Sequence, residues 1–73
     1  MALADLGRFE QALASYSKVL EIKPQYYEAW YQRGFELDRL GRFEQALASY
    51  NKVLEIKPQY YQALSKRGIA LRE

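Results

Sequence analysis

A near-identical internal repeat constrains this chain more than any other feature. Residues 6–27 return as residues 40–61, 34 positions later, and the two copies differ only where Ser17 becomes Asn51. A fixed period of this length is typical of stacked supersecondary units rather than of one irregular core. Recent duplication and deliberate design both predict such similarity, and the chain is also compatible with excision from a longer array.

Composition and charge exclude several classes of function. The chain has 73 residues and a net charge of +2, from eleven basic and nine acidic side chains, with no cysteine and no histidine. Without imidazole or thiol, the commonest catalytic bases, nucleophiles and metal ligands are absent, so we predict no enzyme, no cofactor and no metal site. The small, interleaved positive excess predicts neither a nucleic-acid nor a membrane partner. A cytoplasmic protein is the default expectation.

The spacing of apolar residues predicts helices throughout. Proline disfavours helix at the residue before it, so Pro24 and Pro58 end two helices, and glycine suits the left-handed residue that closes a helix at Gly7 and Gly41. The predicted helices are 8–22, 25–39, 42–56 and 59–73, preceded by the end of a truncated helix over residues 1–6. Short linkers make neighbouring helices antiparallel, so the expected fold is all-α, with about five helices in helix-turn-helix repeats.

Each long helix carries an apolar stripe that is expected to face the core. The stripes are Phe9, Ala12, Leu13, Tyr16, Val19 and Leu20 in the first long helix; Tyr27, Trp30, Gly34, Leu37 and Leu40 in the second; and Phe43, Ala46, Leu47, Tyr50, Val53 and Leu54 in the third. Gly34 and Ala46 are small residues on facing helices, which predicts a close approach of the two backbones there.

The same positions carry a resemblance to a known family. The chain resembles the tetratricopeptide repeat, whose signature of aromatic, glycine, alanine, aromatic and proline is matched by Trp30, Gly34, Ala46, Tyr50 and Pro58. Further matches lie at Ala12, Tyr16 and Pro24, at Leu37, and at Leu64, Gly68 and Leu71. The resemblance implies an α-solenoid with a partial repeat over residues 1–26, a full repeat over 27–60 and a terminal capping helix over 61–73.

One position departs from the family pattern. Arg33, repeated as Arg67, stands where the family usually has leucine. An arginine stem can pack against apolar neighbours while its guanidinium reaches outward. We therefore interpret this arginine as a variant of the pattern.

The differences between the repeats crowd into the first helix of each unit and predict a candidate site. They fall three and four residues apart on one helix face. In the family, this face lines a concave groove that grips peptide segments or partner helices. The resemblance therefore implies a protein-interaction scaffold whose groove is made by Tyr31, Gln32, Phe35, Arg39, Lys66, Ile69 and Arg72.

There are two alternatives to a ligand groove, and the first of them explains the same differences. A last helix without a successor should become more polar, and the changes from Trp30 to Leu64 and from Tyr31 to Ser65 suit such a cap. Alternatively, the chain is a structural unit that forms homo-oligomers through its terminal helices. In that case, we predict that residues 59–73 of one copy cover Phe9, Leu13 and Tyr16 of another, or that straightening at Gly41 gives a swapped dimer.

Overall fold

Residues 3–72 fold into four consecutive α-helices. The computed structural model describes the backbone of residues 3–72 and the side-chain surroundings of residues 7–69 and 71. The helices are α1, Leu3–Ile22; α2, Tyr27–Arg39; α3, Phe43–Ile56; and α4, Tyr61–Arg72. Within residues 3–72 there is no strand. The all-helical prediction is confirmed, whereas the prediction of about five helices is wrong by one.

The structure lacks the helix boundary that the sequence predicted at Gly7. The sequence predicted that Gly7 closes a truncated helix, but α1 runs through it without a break, and Gly7 does not have positive φ. A reversal at Gly7 would leave less than two turns of described helix before it, which is too short to bury an apolar face. Continuing the helix keeps the backbone hydrogen bonds that a turn would break. Residues 1 and 2 of the predicted helix end lie outside the described residues.

Gly41 does close a helix, as predicted. Its φ is +79°, the left-handed conformation that glycine adopts without steric cost. The Gly41 amide donates to the Asp38 carbonyl at 3.0 Å, and the Arg42 amide donates to the Leu37 carbonyl at 2.9 Å. These two bonds form a Schellman motif, which satisfies the last carbonyls of α2 and reverses the chain toward α3.

The proline turns after α1 and α3 are built alike because their sequences are identical. The Lys23 amide donates to the Val19 carbonyl at 2.7 Å, and the Lys57 amide donates to the Val53 carbonyl at the same distance. The helices that follow begin at Tyr27 and Tyr61, two residues later than predicted. Each turn thus returns the chain alongside the helix it has just left.

The core lies between α2 and α3. Leu37, Ala46 and Tyr50 form its buried cluster, and the partly buried Leu13 and Tyr31 pack against it. Gly34 allows this packing, because a Cβ added there would lie 2.7 Å from Tyr50 Cε1 and 2.9 Å from Tyr50 Cδ1. The backbone of α2 therefore rests on the Tyr50 ring, as the small residues at this crossing predicted.

Burial follows only part of the predicted stripes. The buried members of the stripes are Leu20, Gly34, Leu37, Ala46, Tyr50 and Val53, whereas the remaining stripe residues are half-buried. The prediction missed Ala29, Ala63 and the polar Ser49, which are 4%, 0% and 0% exposed.

Ser49 is buried together with a hydrogen-bond partner from α2. The Arg33 guanidinium donates to Ser49 Oγ at 2.5 Å and lies 5.7 Å from the centre of the Trp30 ring. The arginine at the leucine position therefore turns back onto the neighbouring helix, and its guanidinium does not simply reach into solvent. Burying a hydroxyl is tolerated because the hydrogen bond compensates for lost water contacts.

Candidate functional site

Phe35 is the centre of the candidate face. Its ring on α2 is half-buried and lies near two cations, with Arg39 Cζ 5.7 Å and Lys66 Nζ 5.3 Å from the ring centre. Arg39 is one helical turn further along α2, while Lys66 reaches across from α4. The contact therefore joins the first helices of two successive repeats, and it brings together three of the residues predicted from the sequence.

Phe9 is a member of this face that sequence analysis missed. Arg39 Cζ lies 5.1 Å from the centre of the Phe9 ring, so one guanidinium contacts two aromatic rings from α1 and α2. The sequence assigned Phe9 to the buried stripe of α1, and helical spacing alone cannot distinguish a core ring from one at the edge of a face. Only the packing of α1 against α2 brings it next to Arg39.

The other predicted residues have different surroundings. Gln32 is exposed on α2, and Ile69 on α4 is 43% exposed. Arg72 is the last residue of α4, and its side chain lies outside the described residues. The face therefore combines an exposed amide, an exposed aliphatic side chain and the cation-covered ring of Phe35.

Tyr31 belongs to an internal aromatic cluster more than to an open groove. Its ring is 5.9 Å from the Tyr50 ring and 5.3 Å from the Tyr60 ring, and Tyr60 also meets Tyr27 edge-on at 5.2 Å. Burial, with a smaller contribution from Tyr60, raises the pKa of the Tyr31 hydroxyl above its ordinary value. These ring contacts join Tyr27 and Tyr31 of α2 to Tyr60, the residue that precedes α4.

The face is positively charged in the part of the chain that the structure describes. The ion pairs found there join Lys18 to Glu21, Arg42 to Glu10, and Lys52 to Glu55. Neither Arg39 nor Lys66 takes part in any of them. The contacts described for both cations are those with aromatic rings, including that of Phe35.

Neither a metal-binding cluster nor a membrane-spanning helix is found among the described residues. Among the described residues, no group of three or more acidic side chains is placed to hold a metal ion. In the same part of the chain, no helix combines the length and apolar character needed to cross a bilayer. The recesses found on the surface are shallow and lie away from Phe35, at the helix ends and turns. One of them has a volume of about 350 Å³ and is lined by Val19, Ile22, Lys23 and Tyr26.

The buried hydroxyl of Tyr50 is expected to make the fold less stable at alkaline pH. Its hydroxyl is buried without a hydrogen-bond partner among the described residues. Burial, then the negative charge of Asp38 and then Tyr31 raise its pKa far above the ordinary value of 10.0. Because the unfolded chain releases this proton first, the stabilisation is complete below about pH 10 and is lost as pH rises toward the folded-state pKa.

We expect the free energy of unfolding to fall steeply above about pH 10, and to fall less in Tyr50→Phe. The variant lacks the ionisable group but keeps the ring that packs on Gly34. Urea unfolding at about pH 8 and about pH 11 measures this loss of stability in the wild-type chain and in Tyr50→Phe. The two proteins share every other ionisable group, so only the contribution of Tyr50 differs between them. Identical losses in the two proteins would contradict the assignment to Tyr50.

Two family models match the helical repeats of this chain. A tetratricopeptide repeat model matches residues 27–60, and a TPR repeat model matches residues 2–37. Together the two matches cover residues 2–60 and span helices α1 to α3. The chain belongs to the tetratricopeptide repeat family. It carries about two tetratricopeptide repeats, as the resemblance implied, and a comparison with curated proteins found no match.

Membership in this family gives the general class of function. Tetratricopeptide repeats mediate protein–protein interactions and are generally not enzymes. In this tetratricopeptide repeat chain, Phe35 and Arg39 lie on the first helix of the full match, whereas Lys66 lies beyond it on α4.

Proposed function

We propose that this tetratricopeptide repeat chain is a protein-interaction module that binds an extended acidic peptide along α2 and α4. The observation that carries the proposal is the placement of two cations near one ring, with Arg39 Cζ 5.7 Å and Lys66 Nζ 5.3 Å from the centre of the Phe35 ring. An aromatic surface covered by two cations offers apolar contact and positive charge at one place. A peptide that carries an apolar residue beside a carboxylate matches both features.

The charges determine which kind of peptide the face favours. Within the described residues, Arg39 and Lys66 make no ion pair, so a ligand carboxylate would not have to displace an internal partner. Hydrogen bonds to charged groups are stronger than neutral ones, and an arginine can hold a carboxylate through two parallel bonds. Basic peptides would be repelled by the same two cations. Salt should weaken binding, because the face is open to solvent.

The apolar part of the ligand is expected to lie along Phe35 and Ile69. These residues occupy equivalent positions in successive repeats, since their numbers differ by the repeat length. Ile69 is 43% exposed, so it can contact a ligand without rearrangement of the helix. Gln32 is exposed on the same helix as Phe35 and offers an amide to the peptide backbone.

A peptide array tests the proposal directly. Each acidic peptide is paired with a version in which aspartate and glutamate become asparagine and glutamine, and both are probed with the 73-residue chain. We expect preferential capture of the acidic member of each pair. We also expect Phe35→Ala to weaken binding by about tenfold, because it removes the apolar centre of the face.

The charge contribution has a matched control. Lys66→Gln should weaken capture of acidic peptides about fivefold, whereas Lys18→Gln should leave it unchanged. The side chain of Lys18 is 80% exposed on α1, where it pairs with Glu21. Circular dichroism verifies that all variants are folded. Equal capture of acidic and amide peptides, or equal capture by wild type and Phe35→Ala, would contradict the proposed groove.

A second candidate function is the structural one, in which the chain associates with copies of itself. The specific observation in its favour is the series of large apolar side chains exposed on α4. Tyr61 is 73% exposed, Leu64 43% and Leu71 63%. A solvent-facing helix in a monomer rarely presents a contiguous apolar surface, so these residues support a partner that covers them.

A further inference from the structure

One face of α1 is a copy of the face that α3 uses to pack against α2. In α3, four residues of this face are completely buried: Ala46, Ser49, Tyr50 and Val53 are each 0% exposed. The same residue types recur 34 positions earlier in α1, and there none is buried: Ala12, Ser15, Tyr16 and Val19. Because the residues are identical, the difference in burial comes from position alone. The described helices cover this face completely in α3 and leave it partly open in α1, where Ser15 is exposed and the other three residues are half-buried.

One face of α4 keeps part of the face that α2 presents to α3, with Arg67, Gly68 and Leu71 at the positions of Arg33, Gly34 and Leu37. Leu37 in α2 is 2% exposed, whereas its counterpart Leu71 in α4 is 63% exposed. Gly34 lies against the Tyr50 ring, whereas no described atom lies within 4 Å of a Cβ built on Gly68. The exposed surface of α4 is therefore open at the position that corresponds to the contact of Gly34 with Tyr50.

Five contacts between α2 and the α3 hairpin can be repeated with the same residue types, whereas the contacts of Tyr31 with Tyr50 and of Trp30 with Lys52 cannot, because α4 has Ser65 and Leu64 at the equivalent positions. Besides Gly34 with Tyr50 and Leu37 with Ala46, the five contacts include Arg33 with Ser49 at 2.5 Å, Tyr27 with Tyr60 at 5.2 Å and Tyr27 with Lys57 at 3.2 Å. The same residue types occur in α4 on one side, and in α1 and the turn that follows α1 on the other. The corresponding pairs are Gly68 with Tyr16, Leu71 with Ala12, Arg67 with Ser15, Tyr61 with Tyr26, and Tyr61 with Lys23.

We propose that the 73-residue chain associates head to tail, with α4 of one copy docked on α1 of the next in the register of α2 on α3. This inference rests on the second candidate function, and it specifies the interface. Tyr61 of one copy occupies the recess formed by Val19, Ile22, Lys23 and Tyr26 of the next. The Tyr16 ring seats against Gly68. Because two different faces meet, the contact is heterologous and extends the helical stack instead of closing a symmetric dimer.

The unbroken α1 leaves room for this contact. If the chain reversed at Gly7 as it does at Gly41, residues 3–6 would fold back along the face of α1 that α4 of another copy must occupy. Instead, α1 continues straight from Leu3. In the antiparallel register, residues 3–8 extend past the end of the docked α4. The departure from the predicted turn at Gly7 is therefore what makes the docking surface accessible.

The geometry also refines the self-association predicted from the sequence. Of Phe9, Leu13 and Tyr16, only Tyr16 belongs to the open face. Leu13 packs against the core cluster of its own chain, and the Phe9 ring lies beside Arg39. One helix pair is a small interface compared with standard protein–protein interfaces, so we expect weak association that depends on concentration.

Sedimentation equilibrium over a concentration series tests the proposal. We expect the mean mass of the wild-type chain to rise above 8.6 kDa with increasing concentration. Gly68→Ala should remain monomeric, because its methyl group occupies the space that receives Tyr16. Gly7→Ala is the matched control, since it makes the same change at another open helical position and should associate like wild type. Thermal unfolding of dilute samples verifies that both variants are folded.

Cross-linking tests the register independently. The chain has no cysteine, so Ala12→Cys and Leu71→Cys each introduce a single thiol. A short bis-maleimide should join the two variants when they are mixed and should join neither to itself. If Leu71→Cys cross-linked to itself, or if Gly68→Ala associated like the wild-type chain, this register would be wrong. Self-association by another interface would still be supported. A wild-type chain that stays monomeric at every concentration would overturn both.

Discussion

Replacing Gly34 by alanine is expected to destabilise the fold more than any other single methyl group added to this chain. The new Cβ would lie 2.7–3.0 Å from three atoms of the Tyr50 ring. Tyr50 is 0% exposed and packs in the core cluster, so a shift of its ring would also displace its neighbours. Overpacking of this kind typically costs about 1–3 kcal/mol, and it outweighs the helix propensity of up to about 1 kcal/mol that alanine adds.

Thermal and urea unfolding measure this effect. We expect the Tm of Gly34→Ala to fall by about 5–15 °C, since a loss of 1 kcal/mol lowers the Tm of a domain of this size by about 4–8 °C. The variant should also be more sensitive to urea, with a lower midpoint. An unchanged Tm would mean that α2 and α3 do not approach each other as closely as the structure shows.

Gly68→Ala is the matched control, because Gly68 is the same position of the next repeat. No described atom lies within 4 Å of its added Cβ, so the steric penalty disappears. Only the gain in helix propensity remains, and we expect dilute samples to be stabilised by about 0.5–1 kcal/mol. The same substitution in equivalent positions should therefore change stability with opposite sign. If Gly34→Ala and Gly68→Ala lowered the free energy of unfolding equally, the exposed position of Gly68 would be contradicted.

The second large effect is expected at Gly41. Its φ of +79° belongs to the left-handed region, where a residue with a Cβ is strained by about 1–2 kcal/mol. Gly41→Ala should therefore lower the free energy of unfolding by that amount and weaken the turn between α2 and α3. Urea unfolding of the variant gives the value, and circular dichroism shows whether the helical content is retained.

Gly7→Ala is a matched control because residues 6–16 and 40–50 have the same sequence. Gly7 lies inside α1, with no described atom within 4 Å of an added Cβ. The alanine should stabilise α1 by up to about 1 kcal/mol, through its higher helix propensity and the lower entropy of the unfolded chain. If Gly7→Ala and Gly41→Ala were equally destabilising, Gly7 would also form a turn, and α1 would end where the sequence first predicted.

The sequence predicted the fold well because its main signals are local. Apolar residues at helical spacing, Pro24 and Pro58 give the helices and their ends to within a few residues. The small residues Gly34 and Ala46 predicted the close crossing of α2 and α3. These features depend on a few neighbouring residues, so they can be recognised without knowing the rest of the structure.

The candidate site was predictable only in part. Helical spacing placed Phe35 and Arg39 on one face, and the repeat period added Lys66 from the next unit. Spacing could not show that Tyr31 is held between Tyr50 and Tyr60, or that Phe9 meets Arg39. Those contacts depend on the angle and depth at which helices pack, which are set by side chains distant in sequence.

The sequence by itself determined that this chain forms helical tetratricopeptide repeats, because the repeat carries its own helix, turn and packing signals. Tertiary structure decided what each copy of the repeat does. The same residues, 6–16 and 40–50, form a continuous helix in one place and a turn followed by a helix in the other. The physical reason is packing: reversal at Gly41 buries Leu37 and Tyr50, whereas reversal at Gly7 would bury too little to offset the lost helical hydrogen bonds.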